Sequence, residues 1–449
     1  MKRVYCCIVV SVLVLFTGIS FAFCQNNSPN NKPPYQIRVR AEQESAIYKK
    51  GEPVVFHVRL LENDKPLAGK EISYFIQGDG SFEKKGTITS TDSVATIETS
   101  LNRAGFLKCT VQWKDASGVQ FSAVGGAGVD PLEIRAETPE PEDFDAFWNA
   151  KKEELAKLPM NPQLVPVPAE KVNNPAIQVF DIKVDCLGGK PVSGYLAKPV
   201  NAQPQSLPIV ISYHGAGVRS ANMPISTAAH NVLALDINAH GIENGQPAEF
   251  YTALANGELK DYRIANGNDR EKIYFVGMFL RVIRSLQFMK SLPEWDGKTI
   301  AVSGGSQGGG QALVAAGSDS AVTFCVAHVP AICYPTGDIE GNFGGWPGYL
   351  RGKTKETADP AVVKTVPYID AANFARRIKA ESILSTGFID YTCSPTSVYV
   401  AYNNITAPKQ IFPTPETAHA VPPKTYEIAQ KLLWDYIERN RVPNVPKTE

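Results

Sequence analysis

A chain that reads Ile300-Ala301-Val302-Ser303-Gly304-Gly305-Ser306-Gln307-Gly308-Gly309-Gly310 has few ways to fold at that point. The apolar run ends in Gly-x-Ser-x-Gly, and the small-residue segment Gln311-Ala312-Leu313-Val314-Ala315-Ala316 follows. The pattern predicts a strand, a sharp turn and the start of a helix. Glycines flank the serine because bulky neighbours would clash where the backbone doubles back. A serine on such a turn holds its hydroxyl exposed at the top of a sheet. It becomes a nucleophile only with a base to take its proton and donors to receive the oxyanion. The first N–H groups of the following helix lack intrahelical partners and supply part of that hole.

The chain has 449 residues, which predicts two or three domains. Lys+Arg and Asp+Glu each total 45, so the formal charge is zero. No basic stripe or acidic tail argues for nucleic acid or for binding at a membrane surface. At the N-terminus, Lys2 and Arg3 precede an apolar run from Ile8 to Phe16. Ser20 and Ala22 then stand as at a signal-peptidase site. Residues 1–24 are expected to be a signal peptide and 25–34 an exposed tether, so the protein is expected to be exported, periplasmic or secreted. A lipid anchor on Cys24 is disfavoured by bulky Phe23, and an uncleaved membrane anchor is the third alternative. No later run is apolar enough to span a bilayer. Beyond this segment stand Cys109, Cys186, Cys325, Cys333 and Cys393. An odd, scattered set is no disulfide framework, and no Cys or His spacing suggests a zinc site.

Residues 35–128 read as strands. Ile37 and Val39 alternate with arginines, and Phe56, Val58 and Leu60 with His57 and Arg59. Leu107, Cys109, Val111 and Trp113 alternate with Lys108, Thr110 and Gln112. Such spacing predicts an immunoglobulin-like sandwich. Gly125-Gly126-Ala127-Gly128 marks a hinge, and the sandwich is expected to fold on its own and to be dispensable for the chemistry. An amphipathic helix is predicted from Asp143 to about Leu158. From about residue 175, strands alternate with helices, among them Leu207–Tyr213, a helix through Phe275 to Met289, and Ile383–Gly387. A last helix is predicted from about Tyr426 to Ile437. This is a doubly wound α/β domain, assigned to residues 132–449.

Where such a sheet carries a nucleophile elbow, the triad runs Ser, then Asp or Glu, then His along the chain. Downstream of Ser306 only His328 and His419 are available. His328 ends an apolar strand and reads as a packed structural residue. His419 follows the short strand around Ile411 and precedes the final helix, where the base belongs. The acid should end the preceding strand, and Asp390 fits. The second oxyanion donor should come from the loop after Tyr213, so the backbone amides of Ala216 and Gln307 are the candidates. His214 reads as a loop organiser.

Residues from about 139 to 438 resemble the acetyl xylan esterase/cephalosporin C deacetylase family of the α/β-hydrolases. The resemblance rests on Glu142-Asp143-Phe144-Asp145-Ala146-Phe147-Trp148, His214-Gly215, and Gly304-Gly305-Ser306-Gln307-Gly308-Gly309. It rests further on the segment from Tyr368 through Asn373-Phe374-Ala375 to Ile378, and on Gly387-Phe388-Ile389-Asp390 followed by Cys393-Ser394-Pro395. It implies a triad of Ser306, Asp390 and His419 with the oxyanion hole at Ala216 and Gln307. Members of that family often form hexamers; a homo-oligomer is one option here, with the added N-terminal sandwich expected to stand in the way of the hexamer. Two positions depart from the family pattern. Asn238-Ala239-His240 stands where members carry Arg-Gly-Gln, and Ala420 stands where glutamate follows the histidine. The first departure puts loop bracing in doubt.

These readings converge on an exported serine carbohydrate esterase that removes O-acetyl groups from xylan or xylo-oligosaccharides. No metal or organic cofactor is expected. The aromatic insertion from Pro330 to Leu350, with Tyr334, Phe343, Trp346 and Tyr349, either walls the pocket or simply packs. Two rivals stay open: another exported serine esterase or peptidase, and a non-catalytic carbohydrate-binding protein.

Overall fold

The computed structural model describes residues 34–441. The expected signal peptide with Cys24, and all of the tether but its last residue, lie outside the described residues. Among those described, no helix is long and apolar enough to cross a membrane. Cys109, Cys186, Cys325, Cys333 and Cys393 are all buried and form no disulfide.

Strands from Tyr35 to Val129 form two sheets packed face to face. In one, Tyr35–Ala41 and Ala95–Thr99 flank Val54–Glu62, all antiparallel. In the other, Gln120–Val129, Gly105–Lys114, Glu71–Gly78 and Phe82–Thr89 lie side by side. Alternation drives the assembly: Val39, Phe56, Val58, Ile72, Ile76, Leu107, Cys109 and Val111 are buried between the sheets.

Two expectations here need correction. Gly125, Gly126 and Gly128 are no hinge but lie within the paired strand Gln120–Val129. Lys108 does not face water; it is fully buried. Both errors have one cause. The outer face of this sheet is covered by the second domain, so it needs small residues where a second backbone approaches. A Cβ on Gly126 would sit 2.7 Å from the Phe388 Cβ.

The second domain is built on a nine-stranded sheet. Its strands run in the order Gln163–Pro166, Ile177–Val184, Val192–Pro199, Leu233–Ile237, Leu207–Tyr213, Trp295–Gly305, Phe324–His328, Glu381–Gly387 and Lys409–Thr414. The first three pairings are antiparallel and the remaining five parallel. The parallel strands are apolar almost throughout, because helices cover both faces. Helix Tyr274–Ser291 matches the predicted period and buries Phe275, Met278, Phe279, Val282, Leu286 and Met289. The last helix runs Pro423–Asn440, starting earlier than expected because a proline fits its first turn.

Two of the segments that carry the resemblance brace each other away from the site. Helix Phe144–Lys157 sets Phe144 and Trp148 against Phe374, with ring centroids 5.1 Å apart in both pairs. Arg377 donates to Glu140 at 2.8 Å and to Asp145 at 2.5 Å.

Candidate active site

Strand Trp295–Gly305 runs straight into helix Gln307–Ser318, with Ser306 alone at the turn. Ser306 takes φ 57° and ψ −124°, a region that L-residues rarely occupy. The surrounding glycines permit this. A Cβ on Gly304 would lie 2.3 Å from the Gly308 backbone, and one on Gly308 2.0 Å from the Tyr213 carbonyl oxygen. The neighbouring strand then locks the turn. The Ser306 N–H donates to the His328 carbonyl and the Ala331 N–H to the Ser306 carbonyl, both at 2.9 Å. His328 is the structural residue expected of it. Its Nδ1 meets the Ser385 hydroxyl at 2.9 Å, and burial pushes its imidazole down to about 4.

The fold brings Ser306, Asp390 and His419 together from three separate strand ends. The Ser306 hydroxyl lies 2.9 Å from His419 Nε2, and His419 Nδ1 lies 2.7 Å from Asp390 Oδ2. A carboxylate only accepts, so Nδ1 carries the proton and Nε2 is free to accept from the serine. Asp390 is fully buried, and its Oδ1 accepts from the N–H groups of Thr392 at 2.7 Å and Cys393 at 3.0 Å. His419 is about a third exposed, at 30% of its side chain, so substrate and water can reach it. A tight turn seats it: the Ala420 N–H donates to the Ala418 carbonyl at 2.8 Å.

The two expected oxyanion donors belong to the residue after Ser306 and to the loop that follows strand Leu207–Tyr213. Gln307 opens the helix, where its N–H has no intrahelical partner. Ala216 follows Gly215, and a Cβ on Gly215 would come 3.7 Å from Ser306 Cβ. This loop is braced by the segment that departs from the family pattern. The Ala239 N–H donates to His214 Nε2 at 3.2 Å, and His214 Nδ1 meets the Gly215 carbonyl at 2.7 Å. His240 Nε2 meets the Gly217 carbonyl at 3.1 Å, and its Nδ1 meets the Tyr274 hydroxyl at 2.6 Å. Burial pushes His214 down to about 4 and His240 to about 3, so both are neutral. Arg281 supports the segment by donating to the Ala239 carbonyl at 2.8 Å. Asn-Ala-His thus braces the loop with its own set of bonds.

Sequence reasoning missed Tyr262, whose hydroxyl donates to the Gln307 side chain at 2.7 Å and whose ring packs edge-on against His240. It sits in an irregular stretch with no periodicity to flag it. Within the aromatic insertion, Tyr334 is fully buried and its hydroxyl donates to Glu340, so it packs rather than walls a pocket. Trp346 packs edge-on against Phe275. Among the described residues, the exposed tyrosine rings are Tyr391, beside Asp390 in the chain, and Tyr426, over His328. Asp390, Cys393 and His419 offer ligand atoms within 4.8 Å of one another. A metal ion spanning them would have to displace hydrogen bonds that Asp390 and His419 already make.

A family model described as Acetyl xylan esterase (AXE1) matches residues 131–435. An acetyl esterase, Axe7A of Xylanibacter ruminicola, is 32% identical over 400 residues, covering 86% of this chain and 87% of its own. A match of that length extends into the sandwich. The solved acetyl xylan esterase from Paenibacillus sp. R4 is 27% identical, with TM-score 0.57, over 68% of this chain and 98% of its own. Acetyl xylan esterase 1 from Thermoanaerobacterium sp. JW/SL YS485 is 22% identical, with TM-score 0.58, over 68% and 97%, and shares the fold.

Proposed function

The chain belongs to the acetyl xylan esterase (AXE1) family, and we propose that it is an exported serine esterase removing O-acetyl groups from xylan or xylo-oligosaccharides. The observation that carries the reading is the unbroken relay from Ser306 to His419 to Asp390, at 2.9 and 2.7 Å. His419 Nε2 takes the Ser306 proton as the oxygen attacks the acetyl carbonyl carbon. Asp390 fixes the imidazole tautomer and stabilises the cation that forms. The N–H groups of Ala216 and Gln307 receive the negative oxygen. The C–O bond to the sugar then breaks, and His419 protonates the leaving hydroxyl. Water, deprotonated by His419, attacks the acetyl-enzyme and releases acetate. The exposed faces of Tyr391 and Tyr426 are candidates for stacking against sugar rings.

Export rests on Lys2, Arg3 and the apolar run that follows them. The short acyl group separates this reading from that of a general esterase. Each excluded methylene changes selectivity by about 1–3 kcal/mol, so butyryl should fall at least roughly thirtyfold below acetyl. The test is kcat/KM for acetyl, propionyl and butyryl esters of one alcohol. A flat or rising series overturns the deacetylase reading.

A further inference from the structure

The seam between the two domains runs directly behind the acid. From the sandwich, Phe106 packs edge-on against Phe388 at 4.9 Å and tilted against Tyr399 at 5.5 Å. Also at the seam, the buried Asp79 accepts from the Thr396 hydroxyl at 2.7 Å and from the Phe343 N–H at 2.7 Å. Asp79 also accepts from the Phe106 N–H at 2.8 Å, so one carboxylate ties together the sandwich, the insertion and the helix after the acid loop. Lys108 follows Phe106 by two residues on the same strand, Gly105–Lys114. Its Nζ donates to the Asp390 main-chain carbonyl at 2.5 Å. It sits over the Tyr391 ring at 3.9 Å and the Phe343 ring at 4.5 Å. Asp390, Asp79 and Arg351 are the charged groups acting on it, and burial pushes its ammonium down to about 7.

A fully buried ammonium is costly for folding alone, because one carbonyl and two ring faces replace its water. An apolar residue of the same length would fill the space with less desolvation. The lysine aims at one atom only, the carbonyl of the residue whose carboxylate holds His419.

We infer that Lys108, on the sandwich, is a positioning residue for Asp390, so that the sandwich is a working part of the active site. Lys108 fixes the Asp390 backbone from behind while Thr392 and Cys393 fix its carboxylate from in front. The Oδ2–His419 alignment depends on both.

This inference rests on the triad reading above, and the experiment keeps the two apart. Lys108→Met and Lys108→Gln are compared with the parent and with Ser306→Ala on a small acetyl ester, 4-nitrophenyl acetate. Lys108→Met should lower kcat at least about tenfold, the scale of a small misplacement of a catalytic group, and leave KM within about twofold. Lys108→Gln keeps a donor and should recover part of kcat. It also carries the test by itself should Lys108→Met fail to fold. The low-field proton resonance of His419 Nδ1–H should shift or broaden in Lys108→Met, although Lys108 touches neither His419 nor the carboxylate. Native kcat with an unshifted proton overturns the inference, as does a lower melting temperature with kcat unchanged. If Ser306→Ala stays active, the triad reading fails whatever Lys108 does.

Discussion

Ser306 occupies a strained conformation that typically costs a residue about 1–3 kcal/mol. It persists because Gly304 and Gly308 leave room and His328 and Ala331 bond its main chain. His240 illustrates a second residue-scale effect. Its folded pKa, about 3, lies below its ordinary 6.5. A depressed histidine contributes stability that is present above pH 6.5 and is lost as pH falls toward 3. His240→Gln removes that titration and keeps a donor for the Gly217 carbonyl. Relative to this variant, the native chain should lose up to about 1.4 kcal/mol per pH unit between those limits. Urea unfolding midpoints of both proteins from pH 7 to pH 4 check this, and parallel curves would mean that His240 is not held neutral. The grouping of Ser306, Asp390 and His419 was legible in the sequence because each follows a recognisable strand and their order is constrained. Lys108 was not, because alternation on a strand cannot distinguish water from a second domain on the outer face. The pairing of Lys108 with Gly126 and of Phe106 with Gly128 was the missed signal.

At the scale of elements, the hydrophobic pattern served well both where it alternates, as about Phe56, and where nearly the whole element is buried, as in Leu207–Tyr213. It placed the strands about Phe56 and Leu207 and the helix through Phe279, all of which are formed. It failed at the glycine run, where composition suggested flexibility and the strand in fact needs thinness. The same geometry makes a prediction. In Gly126→Ala the new methyl would meet Phe388 Cβ at 2.7 Å and its carbonyl at 2.9 Å. Backbone cannot give way as a side-chain tip can, so the acid loop must move. Overpacking of this kind costs about 1–3 kcal/mol. A shift at Asp390 should lower kcat at least about tenfold with little change in KM. Steady-state kinetics on a small acetyl ester check it, and native kcat would show that the acid loop is insensitive to the seam.

The whole molecule is less divisible than its sequence suggests. A composition change near residue 130 reads as a boundary, and the sandwich strands do end at Val129. Yet Phe106, Lys108 and Phe388 are all fully buried where the domains meet. A chain beginning at Leu132 would expose Phe388, Tyr399 and the back of the acid loop to water. Contrary to the sequence-based expectation of a detachable sandwich, such a chain should be insoluble or at least about tenfold slower on a small acetyl ester. Native activity in the shortened chain would show that the seam only tethers.

This site is proposed to remove acetyl groups from xylan-type substrates through Ser306. Acetate released from acetylated xylo-oligosaccharides by the native chain and by folded Ser306→Ala tests it most directly. Ready release by the native chain is expected, with a loss of at least about a thousandfold in the variant, as for a triad member. Native protein that releases no acetate, or a variant that releases it at the native rate, would contradict it.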